Sequence, residues 1–268
     1  RGKPIGQVAV GGYADLRAGT NQMACAIKDM TPALFRPLLD PDESNRRLDG
    51  LTINAQFLTE QLRVTHPMRE IAGRVTVVNT RRAGADEWDM LAWDLHSQIT
   101  PAEVRIKECR VSVTPARFDE NALRLSGTMY RGRTNAESLV TLYSPEFDAT
   151  TLLDTFLPAD TIGEGGSRVS RPTPRAEEDT KEEPSPSPPR ASPLLFKTHI
   201  DRLVMREMDV SPLSFDLRFS NTLATLITHS VRVNEGECDI FARVDRGVTG
   251  YVYASEVTAT NMPLKPII

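Results

Sequence analysis

The chain has 268 residues, 40% of them hydrophobic, a formal charge of −4 and three cysteines. That is enough apolar material for a real core, so the chain is not disordered as a whole, and the acidic balance without a Lys/Arg stripe excludes a nucleic-acid surface. No apolar run is long enough to span a bilayer as a helix, and no basic-then-apolar leader is present. A start at Arg1 and an end at Ile268 inside a short helix read as an excised segment of a longer protein.

Taken in order, Gly6 to Leu16 is the first predicted strand, with Val8, Val10 and Gly12 on one face. Arg17 to Gly19 turns the chain, and Thr20 to Asp29 returns it. Thr31 then caps a short helix, with Pro32 at its first position. The polar run LDPDESNRRLDG is a loop, after which Leu51 to Leu58, Gln61 to Thr65 and Gly73 to Thr80 are strands. Glu87 to Ile99 fits a helix through Trp88, Leu91, Leu95 and Ile99, but also alternates through Trp93, Leu95, Ser97 and Ile99. It is assigned as a strand because it flows through a Thr100-Pro101-Ala102 turn into a clear one. There Val104 and Ile106 give way to Cys109, Val111 and Val113 in the opposite phase, which requires a bulge or twist.

Leu123, Leu125, Gly127 and Met129 alternate with Arg124, Ser126, Thr128 and Tyr130, and a partner strand runs through Leu139 to Tyr143. Pro145 and Asp148 are expected to stop the sheet, with Asp148 capping a helix through Thr150, Leu152, Leu153 and Phe156. Residues 158–193 hold eight of the nineteen prolines and almost no large apolar side chain. They are expected to be a disordered linker or long excursion between β-rich regions at 1–157 and 194–268, with polyproline II around Pro184 to Arg190. Beyond it, Phe196 to Arg206, Phe215 to Phe219, Leu223 to Val233, Asp239 to Arg246 and Tyr251 to Thr260 read as strands, with Gly236 and Gly247 near turns. Short turns between long strands predict an antiparallel meander. Strand-to-helix junctions near Thr31, Asp148 and Pro263 recur about 115 residues apart, the mark of stacked units, so an elongated repeat fold is expected.

Reactive groups do not converge. His66, His96, His199 and His229 show no metal-ligand spacing, and Cys25, Cys109 and Cys238 read as buried small hydrophobes. His199 and Asp201 share a strand face, an arrangement open to acid-base work but usual for an exposed hydrogen bond. Asp86, Glu87 and Asp89 lack calcium-loop spacing, and Gly163 to Ser170 lacks the strand and helix of a phosphate loop. No catalytic residue, metal or cofactor is assigned. What remains is the sheet face: Val8, Val10, Val104, Ile106, Leu123, Leu125, Met129, Phe215, Leu217 and Phe219 form an apolar side with few helices to cover it. Closed in a β-sandwich it is core; open and curved it is a groove for acyl chains.

The runs VDRGVTGYVYASEVTATNMPLKPII at Val244 to Ile268 and ALRLSGTMYRGRTNAESLVTLYSPEFDATTLLDTFL at Ala122 to Leu157 resemble the C-terminal repeats of AsmA-family bacterial envelope proteins, and Gly6 to Leu39 does so more faintly. The shared pattern is a long strand, a glycine turn with spaced tyrosines and a final strand leading into a short helix. The resemblance implies a non-enzymatic periplasmic or cell-envelope segment whose elongated β groove binds or conducts phospholipid and supports outer-membrane biogenesis. It also implies a parent anchored in the inner membrane through parts outside this segment, and envelope protein partners. The rival expectations are a β-sandwich spacer that binds no lipid, and an envelope enzyme.

Overall fold

Long period-two runs interrupted by turn residues leave this chain one efficient way to satisfy its backbone, a ladder of neighbouring strands. A computed structural model describes residues 6–15, 17–31, 51–63, 66–79, 89–114, 116–132, 135–156, 192–220 and 222–261. In chain order the strands are β1 (Gln7–Asp15), β2 (Thr20–Met30), β3 (Leu51–Arg63), β4 (His66–Asn79), β5 (Asp89–Ile99), β6 (Glu103–Val113), β7 (Ala122–Tyr130) and β8 (Ser138–Asp148). The helix α1 (Thr150–Phe156) follows, then β9 (Leu194–Met205), β10 (Met208–Ser220), β11 (Leu223–Val233), β12 (Gly236–Asp245) and β13 (Val252–Thr260). All thirteen lie side by side, in chain order, in one open curved sheet. No second sheet packs on it among the described residues.

The ambiguous segment ending at Ile99 is a strand, β5. The phase change between Ile106 and Cys109 is a register shift against β7, matched by one between His96 and Ser97 against β6. Three expectations are corrected. Leu51 to Leu58 and Gln61 to Thr65 are not separate strands but one, β3, and β4 begins at His66, well before Gly73. Pro145 does not stop the sheet: β8 runs through it to Asp148, and the ladder to β9 has no pair at that step, so the missing N–H leaves no ladder bond unmade. The meander is also broken once, because β8 and β9 are parallel.

That parallel pair has a topological consequence. Antiparallel neighbours need only a short turn, whereas parallel ones need the chain to return the length of the strands, roughly 35 Å for the eleven residues of β8. The Pro-rich segment falls at this one crossover. Strands β2, β8 and β13 consequently all finish at the same rim, here called the helix rim; with β8 and β9 antiparallel, the third junction would leave from the opposite, far rim. The first and third junction helices, at Pro32 and Leu34 and at Pro263 and Leu264, lie outside the described residues. So do the loop at 40–50, Trp88, Asp86, Glu87 and the segment 157–191 with Gly163 to Ser170 and Pro184 to Arg190.

At the second junction Asp148 caps α1 as expected: its Oδ1 accepts from Thr150 N at 2.9 Å. Asp148 Oδ2 also accepts from Arg117 N at 3.1 Å, and Thr150 Oγ1 accepts from Arg206 N at 2.9 Å, so the helix start is tied to the β6–β7 connection and to the end of β9. Leu152 and Ala149 pack against Val113, Phe147 and Ile200, the one compact apolar cluster among the described residues. It covers a corner of the sheet and no more.

Gly127 marks the closest strand approach. It has φ +153°, and a Cβ there would come within 2.7 Å of Val140 Cα and closer still to Leu139 O. Gly127→Ala is expected to push β7 from β8 and to cost about 1–3 kcal/mol in chemical denaturation. An unchanged midpoint would mean the two strands can separate freely there.

Candidate functional site

Residues directly opposite across a ladder share a face, so the pairing register assigns each side chain to a side of the sheet. One row runs across all thirteen strands: Gly12, Met23, Thr59, Ile71, Ser97, Ile106, Gly127, Val140, Phe196, Leu217, Leu226, Ala242 and Ser255. The neighbouring row, from Val10 through Cys25, Phe57, Gly73, Leu95, Cys109, Leu125, Leu142 and Thr198 to Phe215, is equally free of charge. Val8 connects through Ile27, Ala55, Val75, Trp93 and Val111 to Leu123. Val104 pairs with Met129, and Phe219 lies in the row of Leu194 and Ala224. All ten sequence-predicted residues thus lie on one face of one sheet.

The opposite face differs in kind. Its row through the same strands reads Ala9, Ala26, Gln56, Arg74, Asp94, Arg110, Arg124, Tyr143, His199 and Ser214. Ion pairs lie there, including Arg74 with Asp94 at 3.7 Å and Arg202 with Asp209 at 2.7 Å. The sheet is therefore amphipathic, with no second sheet over its apolar side among the described residues.

Period two is interrupted at places that keep the faces consistent. Val210 and Leu213, three residues apart on β10, pair with Leu203 and Ile200 of β9, so both strands change phase at the same level and both pairs stay on the apolar face. Phe147, beyond Pro145, joins Val113 and Ile200 in the same way. Steps of this kind bend a sheet and raise its twist.

Exposure varies along the face. Cys109, Val140, Ile200, Val210 and Val231 are buried, whereas Val10 is 65% exposed, Trp93 47% and Val257 64%. Leu125, Met129, Phe215, Leu217 and Phe219 are half-buried, the state of side chains flanked on the sheet but uncovered above it. Phe57 fills the gap over Gly73, where a Cβ would collide with its ring. Concavities of about 600 Å³ and 470 Å³ lie along the first strands, but both are lined mainly by outer-face residues, Ala9, Ala26, Gln56 and Arg74 in the larger and Ala26, Lys28, Gln56 and Arg74 in the smaller. Of the cysteines, expected to be buried, only Cys109 is; Cys25 and Cys238 are half-buried. Burial pushes the Cys109 thiol up, against the Trp93 indole N–H that donates to its sulfur at 2.8 Å.

Sequence reasoning missed most of the face. Ile27, Phe57, Val75, Trp93, Leu142, Phe196 and Leu226 belong to it, and the signal was present in the alternation of each strand. What local pattern does not give is that separate apolar faces all turn the same way.

The titratable clusters lie on the outer face and are solvated. His199 Nε2 is 2.9 Å from Asp201 Oδ1, with both side chains about half exposed and Tyr143 stacked on the imidazole. Glu70 accepts from Lys107 Nζ at 2.7 Å and pairs with His96 Nε2 at 2.5 Å. The Lys107 ammonium, and after it the His96 ring, hold the Glu70 carboxyl below its usual range. A depressed carboxylate stabilises the fold above its unfolded pKa, and that contribution is lost as pH falls through the folded value. Lys107→Met is therefore expected to lower the thermal midpoint at pH 7, the difference shrinking below about pH 4. A difference that persists in acid would assign the effect to lost packing of the lysine stem. Among the described residues no group of three or more His, Cys, Asp or Glu side chains is placed to hold a metal ion, and no helix is long and apolar enough to cross a membrane.

No family model, no curated protein and no solved structure matches this chain.

Proposed function

We propose that this chain is a non-enzymatic segment of a bacterial cell-envelope protein of AsmA-like type, which holds phospholipid acyl chains along its apolar sheet face and so takes part in outer-membrane biogenesis. The observation that carries the reading is the uncharged, largely apolar row across thirteen strands with no second sheet over it among the described residues, backed by a charged outer face. Such a face left bare in water is unfavourable, and a contiguous patch of this kind marks a binding surface. An acyl chain laid on it displaces water at about 0.8 kcal/mol per CH₂ buried. The attraction is non-directional, so a chain can slide from row to row without breaking hydrogen bonds. Headgroups stay at the rims, where strand ends meet solvent.

The test is native mass spectrometry of the chain purified from a bacterial host in mild detergent, with organic extraction to identify retained lipid. Reproducible phospholipid adducts are expected. A clean lipid-free mass for a folded protein offered excess phospholipid would sink the proposal and leave a structural spacer as the better account.

A further inference from the structure

We infer that the far rim of the apolar face carries a seat for the phosphate of a lipid headgroup, built from Arg69, Gln61 and Asn21; the inference rests on the acyl-chain reading above. Arg69 is a charged side chain that the register places on the otherwise largely apolar face. It pairs laterally with Gln61 of β3, and Gln61 with Asn21 of β2, so a guanidinium and two carboxamides stand in one row about 10 Å wide at the ends of three adjacent strands. Asn21 Nδ2 donates to Gln61 Oε1 at 2.8 Å, which turns the Gln61 amide N–H groups outward from that bond. Arg69 is exposed and has no carboxylate partner among the described residues, unlike Arg74, Arg202 and Arg218 of the outer face. The row bounds a concavity of about 510 Å³ whose inner wall is Gly12, Met23 and Ile71. Glu60 also borders it, but pairs in register with Glu70 and so belongs to the outer face.

The position decides the ligand. Along the same rim the inner face continues as Ile99, Val104, Met129, Ser138, Leu194, Phe219 and Ala224; the one hydroxyl among them, Ser138, is buried and accepts from Tyr130 N at 2.9 Å. The polar row is therefore local, and it adjoins apolar floor on its inner side. A guanidinium fork matches two oxygens of a phosphate, and the Gln61 amide supplies a further donor. A phosphodiester whose chains lie against Met23 and Ile71 meets both demands at once, whereas free phosphate uses only the polar half.

The chain is offered an equimolar mixture of dipalmitoyl phosphatidylglycerol and dipalmitoylglycerol, which share acyl chains and differ in the phosphate headgroup, and the adducts are counted by native mass spectrometry. The wild type is expected to favour phosphatidylglycerol by about tenfold or more, the worth of a charge-assisted contact. Arg69→Gln is expected to take up both lipids without preference, and Gln61→Glu, which sets a carboxylate beside an intact Arg69, to do the same. Arg69→Lys keeps the charge without the fork and should fall between. A wild-type protein that binds both lipids equally, or Arg69→Gln with an unchanged ratio, overturns the seat while leaving the acyl-chain reading intact. No uptake of either lipid overturns both. Inorganic phosphate, added at millimolar concentration to lipid-free protein, is expected to leave its thermal midpoint unchanged; an Arg69-dependent rise would assign the site to free phosphate instead of a headgroup.

Discussion

Leu217→Asp and Leu125→Asp proteins are expected to fold but no longer to retain lipid. Both leucines are half-buried on the apolar face, Leu217 between Phe196 and Leu226 and Leu125 between Cys109 and Leu142. Without lipid, an aspartate at either place stays hydrated, because no described residue forms a layer above it; the cost is the lost contact of one leucine, about 1.5–3 kcal/mol or less at such partial burial. With lipid, the carboxylate must be stripped of water against an acyl chain, and an unpaired buried charge is far more expensive than the methylenes it displaces are worth. Ser126→Asp, next to Leu125 in sequence, and Thr225→Asp, paired across the ladder with Arg218 beside Leu217, are both on the outer face; they are the controls and should leave lipid retention unchanged. Circular dichroism and extracted phospholipid per protein are the two readouts. If the inner-face variants unfold while the controls do not, the face is closed core in solution. If the variants keep wild-type lipid, the lipid sits elsewhere.

Asn121→Ala is expected to be the most destabilising single substitution in the sheet, at about 3–5 kcal/mol. Asn121 is buried, and its carboxamide behaves as an extra piece of backbone: Nδ2 donates to Val113 O and to Asp148 O, each at 3.0 Å, while Oδ1 accepts from Asp148 N at 2.5 Å. One side chain thereby joins the end of β6, the start of β7 and the end of β8, just before Asp148 caps α1. Alanine leaves three backbone groups without a partner in a place closed to water, and each such loss costs roughly 1–3 kcal/mol, with incomplete additivity. Asn121→Asp should be no better, because a carboxylate cannot donate to the two carbonyls. Urea unfolding gives the measurement, and a loss under 1 kcal/mol would show that water enters the junction and replaces the amide. Because the same knot orients α1 over the Val113, Phe147 and Ile200 cluster, hydrogen exchange should rise first at the helix rim.

The sequence by itself determined which side chains share a strand face, because period-two alternation is a local property of an extended chain. That was sufficient to locate the bulge between Ile106 and Cys109 and to name ten residues that do lie on one face; at Trp93, where alternation and helical spacing both fitted, the choice of strand came from the Thr100-Pro101-Ala102 turn that leads into a clear one. Asp148 as helix cap was legible for the same reason, since a cap bonds to amides two residues away. Pro145 misled, because a proline ends a strand only where its missing N–H would face a ladder bond, and that depends on the neighbouring strand.

Tertiary structure alone decided how the strands stand against one another. Pairing across residues distant in sequence is what makes β8 and β9 parallel, brings the ends of β2, β8 and β13 to one rim, and sets Asn21, Gln61 and Arg69 in a row although 48 residues separate the first from the last. It also decided that the apolar face is open. Alternation reads the same for a sandwich and for a groove, because a strand's own sequence records which side is apolar but not what, if anything, lies above it.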